Sequence, residues 1–183
     1  NVLTPTQCKR LIAYFEKSES HPAGIVNLSG PEPVWRLEPE IKLRQDVQLE
    51  DPALTRELEQ AVVTRVLPAI RKCFHYVVTH HEPFGLVRYD EGSGYFRPHR
   101  DDDYDLLYRR FAMTLNLNTG DYEGGALAFP EFGRTTYRPP TGTAIVFSCS
   151  LLHEATDVTR GHRYVALGFF YNPVDGLTPE ANR

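Results

Sequence analysis

After Pro83 the apolar residues of this chain stop recurring every three or four positions and begin to recur every second one. That switch of period sets the fold class, because helices and strands bury residues at different spacings. In RFAMTLNLN (110–118), Phe111, Met113, Leu115 and Leu117 face one way and Ala112, Thr114, Asn116 and Asn118 the other. FGLVRY (84–89), YFRPH (95–99), GALAF (125–129), RTTYR (134–138), TAIVF (143–147) and RYVALGFFY (163–171) predict further strands, several of them separated by Gly-, Pro- or Asp-rich turns.

Upstream the period is helical. Thr4-Pro5-Thr6-Gln7 forms a capping box with proline in the first turn, and Leu11, Ile12 and Phe15 follow as an apolar stripe. A second helix starts at Asp51-Pro52 and carries Leu54, Leu58, Val62, Leu67, Ile70 and Phe74, with a kink expected at Pro68. Residues 18–35 read as a loop. The expectation is a mainly β protein with flanking helices: a jelly roll or small barrel buttressed by the N-terminal helices. We read 1–183 as one domain, with 1–82 as helical support and loop and 83–175 as the jelly-roll core.

Bulk properties exclude several classes. The net charge of −4 gives no basic footprint for nucleic acid, and no apolar run approaches the roughly 20 residues that span a bilayer. The chain opens at Asn1 without a basic-then-apolar leader, which leaves room for an upstream segment. Cys8, Cys73 and Cys149 lie far apart and form neither a disulfide framework nor a zinc motif, so the cytoplasm is the expected compartment.

The stretch PHRDDDYD (98–105) places one histidine ahead of four aspartates. A calcium loop fails here, because an EF-hand begun at Asp101 has Leu106 where glycine is needed and Ala112 where glutamate is needed. A solvated acidic turn accounts for Asp102, Asp103 and Asp105. It does not account for His99, which ends an aromatic strand with Asp101 two positions on and therefore on the same face. An imidazole and a carboxylate so placed supply two of the three ligands of a 2-His-1-carboxylate metal site. His153, after the strand TAIVF, is the candidate third ligand; standing alone it would read as a structural histidine.

On the last strand Arg163 shares its face with Val165, Leu167 and Phe169. An arginine on an apolar face requires a carboxylate. Either an internal acid such as Glu154 or a bound dicarboxylate would serve, the latter because a guanidinium fork matches a carboxylate in bidentate geometry.

Taken in order, YDEG (89–92), HRD (99–101), DYEGGALAFP (121–130) and the H-x9-R spacing from His153 to Arg163, followed by YVALGFFY, resemble the Fe(II)/2-oxoglutarate-dependent dioxygenase superfamily, in its prolyl 4-hydroxylase-like branch. The likeness runs from about Phe84 to Tyr171. It implies a double-stranded β-helix with Fe(II) held by His99, Asp101 and His153, and with Arg163 binding the distal carboxylate of 2-oxoglutarate. It also places Tyr89 where a tyrosine contacts the co-substrate in relatives. Asn116 stands where some relatives use a tyrosine, so Thr114, Asn116 or Asn118 could supply the second carboxylate contact. Gly124 and Gly125 fall in a family turn.

The resemblance further implies O2 as oxidant, ascorbate as a candidate reductant, and hydroxylation of an unactivated C–H bond. The first-choice substrate is a prolyl residue in a protein or peptide, with a free amino acid or other small molecule as the alternative. Nucleic-acid demethylase relatives carry a second arginine where this chain has Phe169, so no nucleic-acid partner is expected. A metal-binding jelly roll without catalysis is the rival of another class. The sequence does not specify the oligomeric state.

Overall fold

The structure, a computed structural model, describes residues 1–27, 34–103 and 106–173. Helix α1 (Pro5–Lys17) starts as its sequence predicts: the Gln7 amide donates to Thr4 Oγ1 and the Thr4 amide donates to Gln7 Oε1. Short strands follow, β1 (His21–Pro22), β2 (Ile25–Asn27), β3 (Val34–Arg36), β4 (Lys42–Leu43) and β5 (Gln45–Gln48). The expected loop 18–35 therefore holds three of them, and residues 28–33 lie outside the described residues. Strands of two or three residues are too short to show a period. Backbone pairing makes them, β1 with β5 and β2 with β3.

Helix α2 (Pro52–Ala61) is capped by Asp51, whose Oδ1 accepts from the Ala53 and Leu54 amides. It passes through a π-helical turn, 62–66, into α3 (Leu67–Phe74). Pro68 has no N–H to offer Thr64, and its ring crowds that carbonyl. The helix answers by widening, with the Leu67 amide donating to the Val62 carbonyl. The kink expected at Pro68 takes this form.

The remaining strands are β6 (His80–His81), β7 (Gly85–Tyr89), β8 (Tyr95–His99), β9 (Phe111–Asn116), β10 (Glu123–Gly124), β11 (Leu127–Ala128), β12 (Thr136–Tyr137), β13 (Ala144–Ser148), β14 (His153–Ala155), β15 (Val158–Arg160) and β16 (Arg163–Tyr171). They form two main antiparallel sheets. The larger runs β1-β5-β7-β16-β9-β13, with β6 also on β16; the smaller runs β12-β11-β14-β8-β4. This is the expected mainly β jelly roll with flanking helices.

Three apolar clusters join the layers. Leu86, Phe111, Met113, Leu115, Ala166 and Phe170 carry one face of the larger sheet against Leu11, Phe15, Leu58 and Ile70 of the helices. Its other face meets the smaller sheet through Val87, Val165 and Ala155, and again through Ala112, Phe147 and Leu127. All six residues of β9 are consequently buried. Each fully buried leucine or phenylalanine in these layers contributes about 1.5–3 kcal/mol.

Two strands are shorter than the sequence suggests. The expected 125–129 narrows to Leu127–Ala128 because Gly124 and Gly125 both adopt positive φ, at 71° and 55°. The expected 134–138 narrows to Thr136–Tyr137 after a 3-10 turn at Pro130–Phe132. The glycine pair has a steric reason. A Cβ on Gly124 would collide with the Asp157 carbonyl oxygen, and one on Gly125 would lie 2.8 Å from Val158 Cγ2 and 3.0 Å from Arg163 Cδ. Gly125→Ala is expected to destabilise the protein by about 1–3 kcal/mol, read as a lower urea midpoint with an unchanged slope. A wild-type midpoint would mean that the turn and the Arg163 stem relax together without cost.

Candidate metal and dicarboxylate site

His99 ends β8 and His153 begins β14, and the antiparallel register pairs these two residues directly. Their ring centroids are 4.2 Å apart. Asp101 lies just past the strand end, with Oδ1 at 3.5 Å from His99 Nε2 and Oδ2 at 3.3 Å from His153 Nε2. One ligand atom from each of the three residues falls within 4.8 Å of the others. The Asp101 amide donates to the Cys149 carbonyl, and the Cys149 amide to the Arg110 carbonyl, which ties the turn to the end of β13. Phe96 stacks on the His99 ring at 3.4 Å between centroids, and Phe147 meets His153 edge-on at 4.6 Å.

The donor chemistry of this trio fits a cation. His99 Nδ1 lies 2.8 Å from the Arg97 carbonyl, and His153 Nδ1 lies 2.9 Å from the Leu151 carbonyl. A carbonyl only accepts, so each Nδ1 carries a proton and each Nε2 is left facing Asp101. Burial pushes the pKa of His99 down, against the pull of Asp101. Burial works against the charge of Asp101 as well, but His153 and His99 outweigh it and hold its carboxyl well below the usual carboxylate range. Two imidazole Nε2 atoms and a carboxylate thus face one point, a donor set suited to a divalent metal with nitrogen and oxygen preferences.

Arg163 begins β16, beside Tyr89 in register. It is 3% exposed, and among the described residues no carboxylate pairs with it; the expected internal partner Glu154 does not reach it. On β14 it is His153 and Ala155 that line the same cavity as Arg163, and a residue between them points to the opposite face. Arg163 Nη2 donates to Asn116 Oδ1 at 3.3 Å, its guanidinium lies 5.2 Å from the Tyr89 ring centroid, and its Nε is buried without a partner. The Asn116 amide nitrogen is spent on Thr119 Oγ1, Tyr122 OH and the Pro139 carbonyl, so its oxygen is aimed at Arg163. Asn118 is committed to the His162 carbonyl and the Tyr164 amide, whereas Thr114 lines the cavity. The Tyr89 hydroxyl accepts from Arg44 Nη1 at 3.3 Å.

Both groups open onto one cavity of about 900 Å³ between the sheets. That is near the upper end of the roughly 300–1,000 Å³ typical of small-molecule pockets. The sequence reading missed other charged residues in its wall. Arg44 is paired with Asp46, and Arg109 grips Glu82 through two bonds of 2.5 and 2.6 Å while stacking 3.7 Å over the Phe169 ring. Lys42 also lines the cavity. A faint signal existed for two of these wall residues, since Lys42 and Arg44 alternate with the partner acid Asp46 in IKLRQD. Arg97 and Arg100 are engaged with Asp157 and Glu131. Of the acidic tail, Asp103 is exposed and Asp105 lies outside the described residues.

Residues 84–171 match the model of the 2OG-Fe(II) oxygenase superfamily. A PKHD-type hydroxylase of Picosynechococcus sp. is 33% identical over 122 residues, covering 64% of this chain and 52% of that protein. The chain thus spans about half the length of that relative. The crystal structure of a Pseudomonas putida prolyl-4-hydroxylase superposes with a TM-score of 0.69 at 23% identity, covering 93% of this chain and 89% of the other. A prolyl hydroxylase from Trichoplax adhaerens, in complex with a hypoxia inducible factor oxygen degradation domain peptide fragment, superposes with a TM-score of 0.69 at 14% identity, covering 93% and 79%. These two share the fold. The family match covers the residues that carry the trio and Arg163, and over residues 84–171 this chain is similar to the 2OG-Fe(II) oxygenase superfamily.

Proposed function

We propose that this chain is an Fe(II)- and 2-oxoglutarate-dependent dioxygenase that hydroxylates an unactivated C–H bond in a prolyl residue of a protein or peptide, with residues 1–183 acting as one domain. One observation carries the reading. A convergent His–Asp–His donor set and a buried arginine without a carboxylate open onto the same cavity. The prolyl assignment draws on the structural neighbours, a prolyl-4-hydroxylase and a prolyl hydroxylase.

His99, Asp101 and His153 would hold the metal, and Arg163 would take the distal carboxylate of 2-oxoglutarate. Tyr89 lies under the guanidinium and shares that end of the cavity, while Asn116 orients Arg163 from behind. When bound, Fe(II) and 2-oxoglutarate supply the activation of O2: one oxygen atom ends in succinate as carbon dioxide leaves, and the other ends in the hydroxylated product. The chain's own residues fix the rest. The two Nδ1–H bonds lock the imidazoles in the tautomer that presents Nε2, and Phe96 and Phe147 hold the rings and keep water from their faces. Among the described residues no helix is long and apolar enough to cross a membrane. The three cysteines are unpaired thiols, which supports a reducing compartment such as the cytoplasm.

The test is an anaerobic Fe(II) titration with and without 2-oxoglutarate, followed by the visible charge-transfer absorption of an iron-bound keto acid. Wild type is expected to develop the band, and Asp101→Ala and His153→Ala to lack it while remaining folded. A folded wild type with neither band nor succinate formation would sink the proposal and favour a non-catalytic jelly roll. Arg163→Ala is expected to weaken 2-oxoglutarate binding by about 2–5 kcal/mol and to leave Fe(II) binding intact. Equal loss of both ligands would make Arg163 a structural group only.

A further inference from the structure

The cavity walls carry more cations than the co-substrate reading uses, and most of them are neutralised in place. Arg44 is paired with Asp46, Arg109 with Glu82 and Arg100 with Glu131. Among the described residues two cavity cations have no carboxylate partner, Arg163 and Lys42. They come from opposite sheets. Arg163 lies beside Tyr89 in the larger sheet, whereas Lys42 lies opposite Phe96 in the smaller one. The Lys42 ammonium is 4.8 Å from the Phe96 ring centroid, and Phe96 itself stacks on His99. The second unpaired cation therefore stands on the sheet that carries the His–Asp–His trio.

Lys42 Nζ donates to the Gly24 carbonyl at 3.0 Å, which uses one of its three protons. Burial pushes its pKa down to about 7, with Arg44 and Arg109 adding to the fall and Asp46 and Asp101 opposing it. A group held this way gains most from a ligand that brings a negative charge with it. The space between is apolar, with Ile41, Leu106, Leu127, Leu167 and Phe169 on the walls. A compact apolar body with one anionic end fits that combination, and a mid-chain peptide unit has no anion to offer.

We infer that the prime substrate presents a free carboxylate to Lys42, as a free imino or amino acid does, or the C-terminal residue of a peptide. This rests on the dioxygenase reading above and moves its substrate from a mid-chain prolyl residue to one that carries a free carboxylate. Lys42 is a specificity-determining residue on the metal side of the cavity, distinct from the arginine assigned to the co-substrate.

The experiment is calorimetric titration of the anaerobic Fe(II)/2-oxoglutarate-loaded protein with two probes that carry the carboxylate, L-proline and glycyl-L-proline, and with their carboxamides. Wild type is expected to bind at least one acid, at least tenfold more tightly than its amide. Lys42→Met is expected to lose that preference, Lys42→Arg to keep most of it, and both to bind 2-oxoglutarate as wild type does. The two probes separate the sources, since binding of the dipeptide alone means a peptide C-terminus. Amides binding as well as acids, or no acid binding to the loaded protein, would overturn the inference. So would weaker 2-oxoglutarate binding in both Lys42 variants, because Lys42 would then belong to the co-substrate. Failure of wild type to load with iron and 2-oxoglutarate at all is a different result, and it strikes the dioxygenase reading itself.

Discussion

A guanidinium buried with no carboxylate partner among the described residues is the constraint around which this site is arranged. Removing such a charge from water costs several kcal/mol unless hydrogen bonds or an opposite charge offset it. Arg163 receives only partial compensation: one long bond to Asn116, the face of Tyr89, and an Nε left without a partner. The Asn116 amide nitrogen lies within hydrogen-bond distance of Thr119 Oγ1, Tyr122 OH and the Pro139 carbonyl, and β16 lies between β7 and β9 in the larger sheet. Gly125 leaves space for the arginine stem that any Cβ would take. The fold thus maintains a local electrostatic deficit, which a dianion entering the cavity would lower. Sites that bind by relieving such a deficit trade stability of the empty protein for affinity.

The trio at the other end has the same logic with the sign reversed. Backbone carbonyls accept from both Nδ1 atoms, so both Nε2 atoms and the Asp101 carboxylate converge on one point. A nitrogen–oxygen donor set and a guanidinium in one enclosed space suit ligands that bring both charges, a divalent metal and a chelating dicarboxylate.

What could be read from the sequence was local. The capping box at Thr4 and Gln7 involves neighbours three residues apart, and strands 95–99 and 163–171 are long enough for their period to show. His99 and Asp101 share a site because they are two residues apart at a strand end. His153 became a candidate through order and spacing, since the register that pairs it with His99 is set across more than fifty residues by sheet packing. Non-local pairing is also where the reading fell short. The strands at 21–22 and 25–27 exist only through their partners, and Glu82 meets Arg109 from a different element. Glu154 looked available to Arg163 by composition, yet strand alternation turns it away from the face that His153 and Ala155 present to the cavity. Lys42 and Arg44 sit in so short a strand segment that alternation of charge there is indistinguishable from a wet surface.

The two sheets divide the chemistry between them, and the division bears on specificity. Arg163, Tyr89 and Asn116 belong to the larger sheet; His99, His153 and Lys42 belong to the smaller, with Asp101 just beyond its edge. The distance from Arg163 to the His–Asp–His trio is therefore a distance between layers, fixed by the apolar contacts of Val87, Val165, Ala155 and Phe96. Close-packed interiors resist changes of even one methylene, so that spacing is stiff. The distance from the trio to Lys42 lies within one sheet and depends on the pairing of β4 with β8 at its edge. Edge strands pair on one side only and accept change readily. On the proposed reading, a chain built this way would keep its metal and co-substrate geometry in a close-packed core and its substrate contact on an edge strand, an arrangement that lets one fold serve one oxidation chemistry with many substrates.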